Sequence, residues 1–213
     1  MLNNILELIY PNVCGICGKI CKESLCKRCA IEIEKYEINL VNKNKKMYFN
    51  ESMHIFKYNE MIRQRLIEYK FQDKSYMYKT FAKIILKNKK VCGFLEKYDI
   101  IIPVPIHKKR RLKRGYNQTE LIAKEICKNI SLELKTDVLI KQKNIKAQSE
   151  LNKNERKQNI KNAFEIKNIN EIIDKKILLF DDIYTTGSTV NECSKILKKV
   201  GAKQIGVVTI AKD

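Results

Sequence analysis

The sequence predicts an α/β protein, a parallel sheet flanked by helices, with a small four-cysteine module ahead of it. Three observations carry that expectation. From about residue 47 onward, short apolar runs alternate with helical patterns, as they do where a parallel sheet is covered by helices. One run, Ile177-Leu-Leu-Phe180, leads into acidic and then hydroxyl residues. Two Cys-x-x-Cys pairs stand close together near the N-terminus.

In chain order, residues 1–10 read as a short amphipathic helix. Glu7 interrupts its apolar stretch and no basic leader precedes it, so no secretory signal is expected and the expected location is the cytoplasm. Residues 1–35 make up the cysteine module, polar residues 42–46 a linker or turn, and residues 47–213 the main domain. Residues 53–58 read as a strand, and 61–69 and 76–87 as helices, the second with Phe81, Ile84 and Ile85 on one side. An apolar strand at 99–104 ends in prolines. Residues 118–130 are helical, with Ile122, Ile126 and Ile130 at four-residue spacing. Further strands are expected at 138–141, 177–180 and 205–210. The apolar runs are far too short to span a membrane, and no membrane insertion is expected.

Asp181 and Asp182 follow the apolar run, at the strand end where open α/β sheets bind ligands. Thr185-Thr-Gly-Ser-Thr189 then opens a helix whose apolar stripe is Val190, Cys193, Leu197 and Val200, with Gly201 placed to end it. A helix start offers N–H groups and a positive dipole end to a phosphate. Gly187 lets the backbone approach the anion, and Thr185, Thr186, Ser188 and Thr189 add hydroxyl donors. Two carboxylates would repel that phosphate, but they suit a vicinal diol. Diol and phosphate at this separation describe a ribose 5-phosphate. The missing Gly-Lys pair argues against a P-loop. The segment closely resembles the phosphoribosyl-pyrophosphate (PRPP) motif of type I phosphoribosyltransferases. That resemblance implies that Asp181 and Asp182 hold the ribose hydroxyls, that residues 185–189 hold the 5-phosphate, and that Mg2+ bridges the pyrophosphate.

Eight cysteines without an export signal point to reduced thiols, metal ligands or both. Cys14-Gly-Ile-Cys17 and Cys26-Lys-Arg-Cys29 can each bend into a knuckle, and four thiolates complete a tetrahedral zinc shell. Gly15 and Gly18 ease the turns, and metal would supply the folding energy of so short a segment. Redox-active or merely buried thiols are the alternative. A closed shell leaves no catalytic position, so the zinc is expected to be structural. Cys21 is a spare thiol, and Cys92, Cys127 and Cys193 read as small packing residues.

Lysine and arginine number 43 against 24 acids, a net charge of +19. Base composition can enrich lysine, but it does not disfavour Glu, so the excess suggests a polyanionic partner such as nucleic acid. Lys108, Lys109, Arg110, Arg111, Lys113 and Arg114 form a basic loop after the prolines. It is a solvated charge run or, beside a ribose-phosphate pocket, a contact for pyrophosphate or nucleic acid. Residues 147–164 are polar and patterned, as in a loop that closes over a charged ligand.

Together these stretches resemble the ComF (ComFC) family of competence-associated, phosphoribosyltransferase-like proteins. The resemblance rests on Pro103-Val-Pro105, Arg114-Gly-Tyr-Asn-Gln118, the Gln148…Arg156…Asn159 loop, the acidic segment and the four cysteines, and spans nearly the whole chain. Lys141 and Ile145 depart from the Arg and Thr frequent there. It implies a type I phosphoribosyltransferase-like fold and a cytoplasmic role in natural transformation, receiving single-stranded DNA beside the ComF helicase. Tyr58, Tyr69, Phe71 and Tyr116 are candidate stacking platforms for that strand. Active phosphoribosyl transfer in base or nucleotide salvage, and PRPP sensing that controls a partner, are the other readings. No catalytic residue is assigned, and neither His54 nor His107 has metal-ligand spacing.

Overall fold

The two longest strands, β7 (Lys176–Tyr184) and β8 (Gln204–Lys212), lie at the centre of the main sheet. They do so in a computed structural model that describes residues 12–142, 160 and 162–213. Sheet order is β1 (Glu37–Lys43), β2 (Glu51–Lys57), β8, β7, β3 (Ile100–Pro103), β4 (Glu133–Leu134). Every neighbouring pair is parallel except β1 with β2. Near-continuous apolar runs are what a parallel strand covered on both faces requires.

Strand alternation sorts the core into two layers. Leu178 and Phe180 point into one, which also holds Ile62 and Leu66 of α2 (Glu60–Phe71), Phe81 of α3 (Met77–Lys87) and Ile122 of α6 (Gln118–Ile126). Ile177 and Leu179 point into the other, with Val190, Cys193 and Leu197 of α7 (Ser188–Lys199). The stripe on α7 is the one expected. Gly201, at φ 97°, closes that helix as Gly201 N–H donates to Lys198 O and Ala202 N–H to Leu197 O. Helix α4 (Lys89–Leu95) bridges α3 to β3.

Four expectations change. Residues 139–141 form β5 (Leu139–Lys141), which pairs antiparallel with β6 (Phe164–Ile166) outside the main sheet. Asn42 and Lys43 finish strand β1 instead of lying in a linker, because an edge strand tolerates polar side chains. Residues 108–114 form helix α5 (Lys108–Arg114) instead of a loop. The prolines lie before its start. His107 caps it by accepting from Lys109 N–H at 3.2 Å, and Gly115 ends it at φ 84°. Finally, β7 runs past Phe180 to Tyr184, so Asp181 and Asp182 belong to the strand itself.

The cysteine module is seated on the main domain. Leu25, Cys29 and Ile33, the last two on α1 (Lys27–Glu34), join the α2–α3–α6 core. Gly15 N–H donates to Thr80 Oγ1 of α3 at 3.1 Å, and that hydroxyl donates to Ser24 O at 2.6 Å. Apolar burial therefore helps hold the segment, contrary to the expectation that metal alone would. The expected helix at residues 1–10 lies outside the described residues.

Candidate functional site

Because β7 alternates, its two consecutive acids face opposite sides of the sheet. Asp182 shares the α2–α6 side. Its Oδ2 receives Lys70 Nζ at 2.7 Å and Gln118 Nε2 at 2.6 Å, and Arg114 donates to Gln118 Oε1. Burial would raise its pKa, but Lys70, Gln118 and Arg114 outweigh burial and hold Asp182 below the usual carboxylate range. Asp181 shares the α7 side. Lost hydration, then the neighbouring Asp182 charge, push it up to about 7, against Asp182 N–H (2.8 Å to its Oδ1), Lys70 and Lys141. One carboxylate is thus firmly ionised while the other is poised near neutrality.

Asp181 lines a concavity with Tyr184, Thr185, Gly187, Ser188 and Thr189. Gly187 takes φ 71° as the N-cap of α7, and a Cβ there would run into the Tyr184 ring, so both conformation and space demand glycine. Thr186 Oγ1 lies 2.7 Å from Ser188 Oγ and accepts from Ser188 N–H at 3.3 Å, which fixes the turn into the helix. The loop thus directs a helix N-terminus and hydroxyl groups toward the space that Asp181 borders, an arrangement suited to an anion.

The basic run divides. Arg114 reaches the Asp182 network and lies over the Phe71 ring, 5.2 Å from its centroid. Arg110 is half-buried, and Arg111 pairs with Glu120 through two hydrogen bonds of 2.9 and 3.1 Å. Lys108, Lys109 and Lys113 are exposed. Gln148 and Arg156 lie outside the described residues. Tyr69 is wholly buried and donates its hydroxyl to Gln118 O at 2.8 Å, so it cannot be a stacking platform. Tyr116 is half-buried against it, Tyr58 is half-buried, and Phe71 is 70% exposed. His54 is buried between Ser52 and Thr209.

The sulfurs of Cys14, Cys17, Cys26 and Cys29 lie within 4.8 Å of one another, with Cys17 and Cys26 at 3.9 Å. A tetrahedron of thiolates about 2.3 Å from zinc has edges of about 3.8 Å, so these four residues could hold such an ion. Gly18 supplies the positive φ (73°) of the first knuckle. Gly15 is needed for a different reason: a Cβ there would meet Thr80. The fifth thiol, Cys21, instead donates to Glu23 O at 2.7 Å.

Residues 112–213 match the model of the phosphoribosyl transferase domain. Competence protein F of Haemophilus influenzae is 30% identical over 213 residues, covering 97% of this chain and 93% of that protein. The chain belongs to the ComF family. Competence protein ComFC of Bacillus subtilis is 26% identical, covering 92% of this chain and 75% of that protein. The DNA utilization protein YhgH of Escherichia coli K12 is 22% identical, covering 95% and 91%. This ComF protein is a competence-related, phosphoribosyltransferase-like protein. No helix among its described residues is long and apolar enough to cross a membrane.

Lys70, from the last turn of α2, an apparently ordinary helix end, escaped sequence reasoning; Lys141, noted there only as a departure from the family's Arg, lies on β5, where its ammonium acts on Asp181. Spacing along the chain signals neither. Asn117 has a structural role instead: its amide donates to Val104 O at 3.2 Å and its carbonyl caps α6, which carries Gln118 to Asp182.

Proposed function

We propose that this ComF-family protein binds PRPP with Mg2+ at the end of β7 and acts in the cytoplasm on single-stranded DNA during natural transformation. The observation that carries this is the pairing, in one concavity, of Asp181 with Thr185, Gly187, Ser188 and Thr189 of the hydroxyl-rich turn. The turn suits the 5-phosphate, and Asp181 and Asp182 suit the diol. Mg2+, when bound, would neutralise pyrophosphate charge beside those carboxylates. The four-thiolate cluster would hold structural zinc. The net charge of +19 and the exposed Lys108, Lys109 and Lys113 support a nucleic-acid surface, with the ComF helicase as a partner.

Calorimetric titration of PRPP and Mg2+ into the full chain tests the pocket. Changing both Asp181 and Asp182 to Asn is expected to abolish binding, and retained affinity would sink the assignment. For the DNA surface, K108E/K109E/K113E should weaken binding of a labelled single strand and flatten its salt dependence; an unchanged slope counts against that surface. A second reading, transfer of the phosphoribosyl group to a nitrogenous base, is favoured by the match of residues 112–213 to the phosphoribosyl transferase domain. Pyrophosphate release from PRPP with a panel of bases decides between turnover and binding alone.

A further inference from the structure

Asp182 carries a largely buried cation, Lys70. Lys70 Nζ and Gln118 Nε2 both contact Oδ2 and not Oδ1. A hydroxyl can therefore join the carboxylate without evicting Lys70. The lysine side chain is only 15% exposed, so the ammonium is held in place and its entropic cost is already met by folding. Arg114 stands beside it, anchored by Gln118 and the Phe71 ring. Neither cation belongs to the phosphate-binding turn. Lys70 comes from α2 and Arg114 from the end of α5, on the side of β7 opposite Asp181.

In a ribose the 5-phosphate hangs from one end of the diol edge and the C1 substituent from the other. With the 5-phosphate on residues 185–189 and the diol on the acids, an anion at C1 lies away from that turn, and Lys70 and Arg114 are the cations on the Asp182 side. We propose that Lys70 is the residue that selects a ligand carrying a pyrophosphate at C1 over the same sugar phosphate without one, with Arg114 as its supporting cation. The inference rests on the PRPP reading above and adds to it the residue that sets the preference. A lysine that only balanced the Asp182 charge would serve both sugars equally, because both present the same diol.

The test uses the full chain with Mg2+ and two probes, PRPP and ribose 5-phosphate, titrated by calorimetry into wild type, Lys70→Gln and Lys70→Met. Wild type is expected to prefer PRPP. Both variants should cut that preference about tenfold or more, the size of a lost charge-assisted contact, mostly through PRPP. Ribose 5-phosphate affinity should fall too, since Lys70 also holds Asp182, but by less than PRPP affinity, because the phosphate contacts on residues 185–189 do not involve Lys70. Equal losses for both sugars, or an unchanged ratio, would overturn the proposal. If Lys70→Met fails to fold, Lys70→Gln keeps a donor for Asp182 without the charge and decides on the same ratio. Wild type that binds neither sugar overturns the PRPP reading itself, a result distinct from a lost preference.

Discussion

Because successive residues of a strand face opposite ways, Asp181 and Asp182 share a sequence motif but not an environment. Asp182 meets Lys70 and Gln118 and stays ionised, whereas Asp181 meets the α7 layer and is pushed up to about 7. Linkage gives the two opposite signs. An acid whose folded pKa is raised contributes stability below its unfolded value, 3.8, and loses it as pH rises through about 7. Asp181→Asn is therefore expected to gain in melting temperature over wild type as pH goes from 4 to 8, by several degrees. Scanning fluorimetry without ligand or divalent ion checks this, and a flat difference would contradict it. Asp182, held low, contributes stability above its unfolded value that fades on acidification. The acidic pair was legible in the sequence. Its asymmetry was not, because the partners lie on α2, α6 and β5, far along the chain.

At the level of elements, the site depends on how two turns are built. The Asn117 side chain ties the exit of β3 to the start of α6 through Val104 O. Asn117→Ala should cost about 1 kcal/mol for the cap alone, seen as a lower denaturation midpoint with an unchanged slope. Gly187→Ala faces both a positive φ and the Tyr184 ring, so the turn must shift. The expected outcome is at least about tenfold weaker PRPP binding by calorimetry, with the fold retained. The strands, α7 and its glycine stop were readable from period and punctuation. Helix α5 was not: six cations in seven residues look like a solvated loop, and only the His107 cap and the Gly115 stop turn them into a helix.

On the scale of the whole molecule, the cysteine module and the α/β domain share a core. Leu25 and Ile33 are buried with α3, and Thr80 bonds to the module through Gly15 and Ser24. Chelation is therefore expected to lower the melting temperature of the entire chain in a single transition. A separate low-temperature step, with the main transition unmoved in calorimetry, would instead show an independent module. Cys17→Ser should reproduce the chelated melting curve and lose zinc by elemental analysis.

What the sequence determined by itself is local. Alternating strands and helices, four thiols in two knuckles, and an acidic strand end running into a hydroxyl-rich helix start are all set by residues a few positions apart. Those suffice for the fold class, for four thiols that could hold a metal ion, and for an acidic strand end beside a hydroxyl-rich turn. Tertiary structure alone decided which acid is held below the usual carboxylate range, which cation of the basic run reaches it, and that Lys70 stands on Asp182. The physical reason is that charge and desolvation act through space. The parallel sheet brings α2, α5 and α6 to one strand end, a juxtaposition that no spacing along the chain encodes.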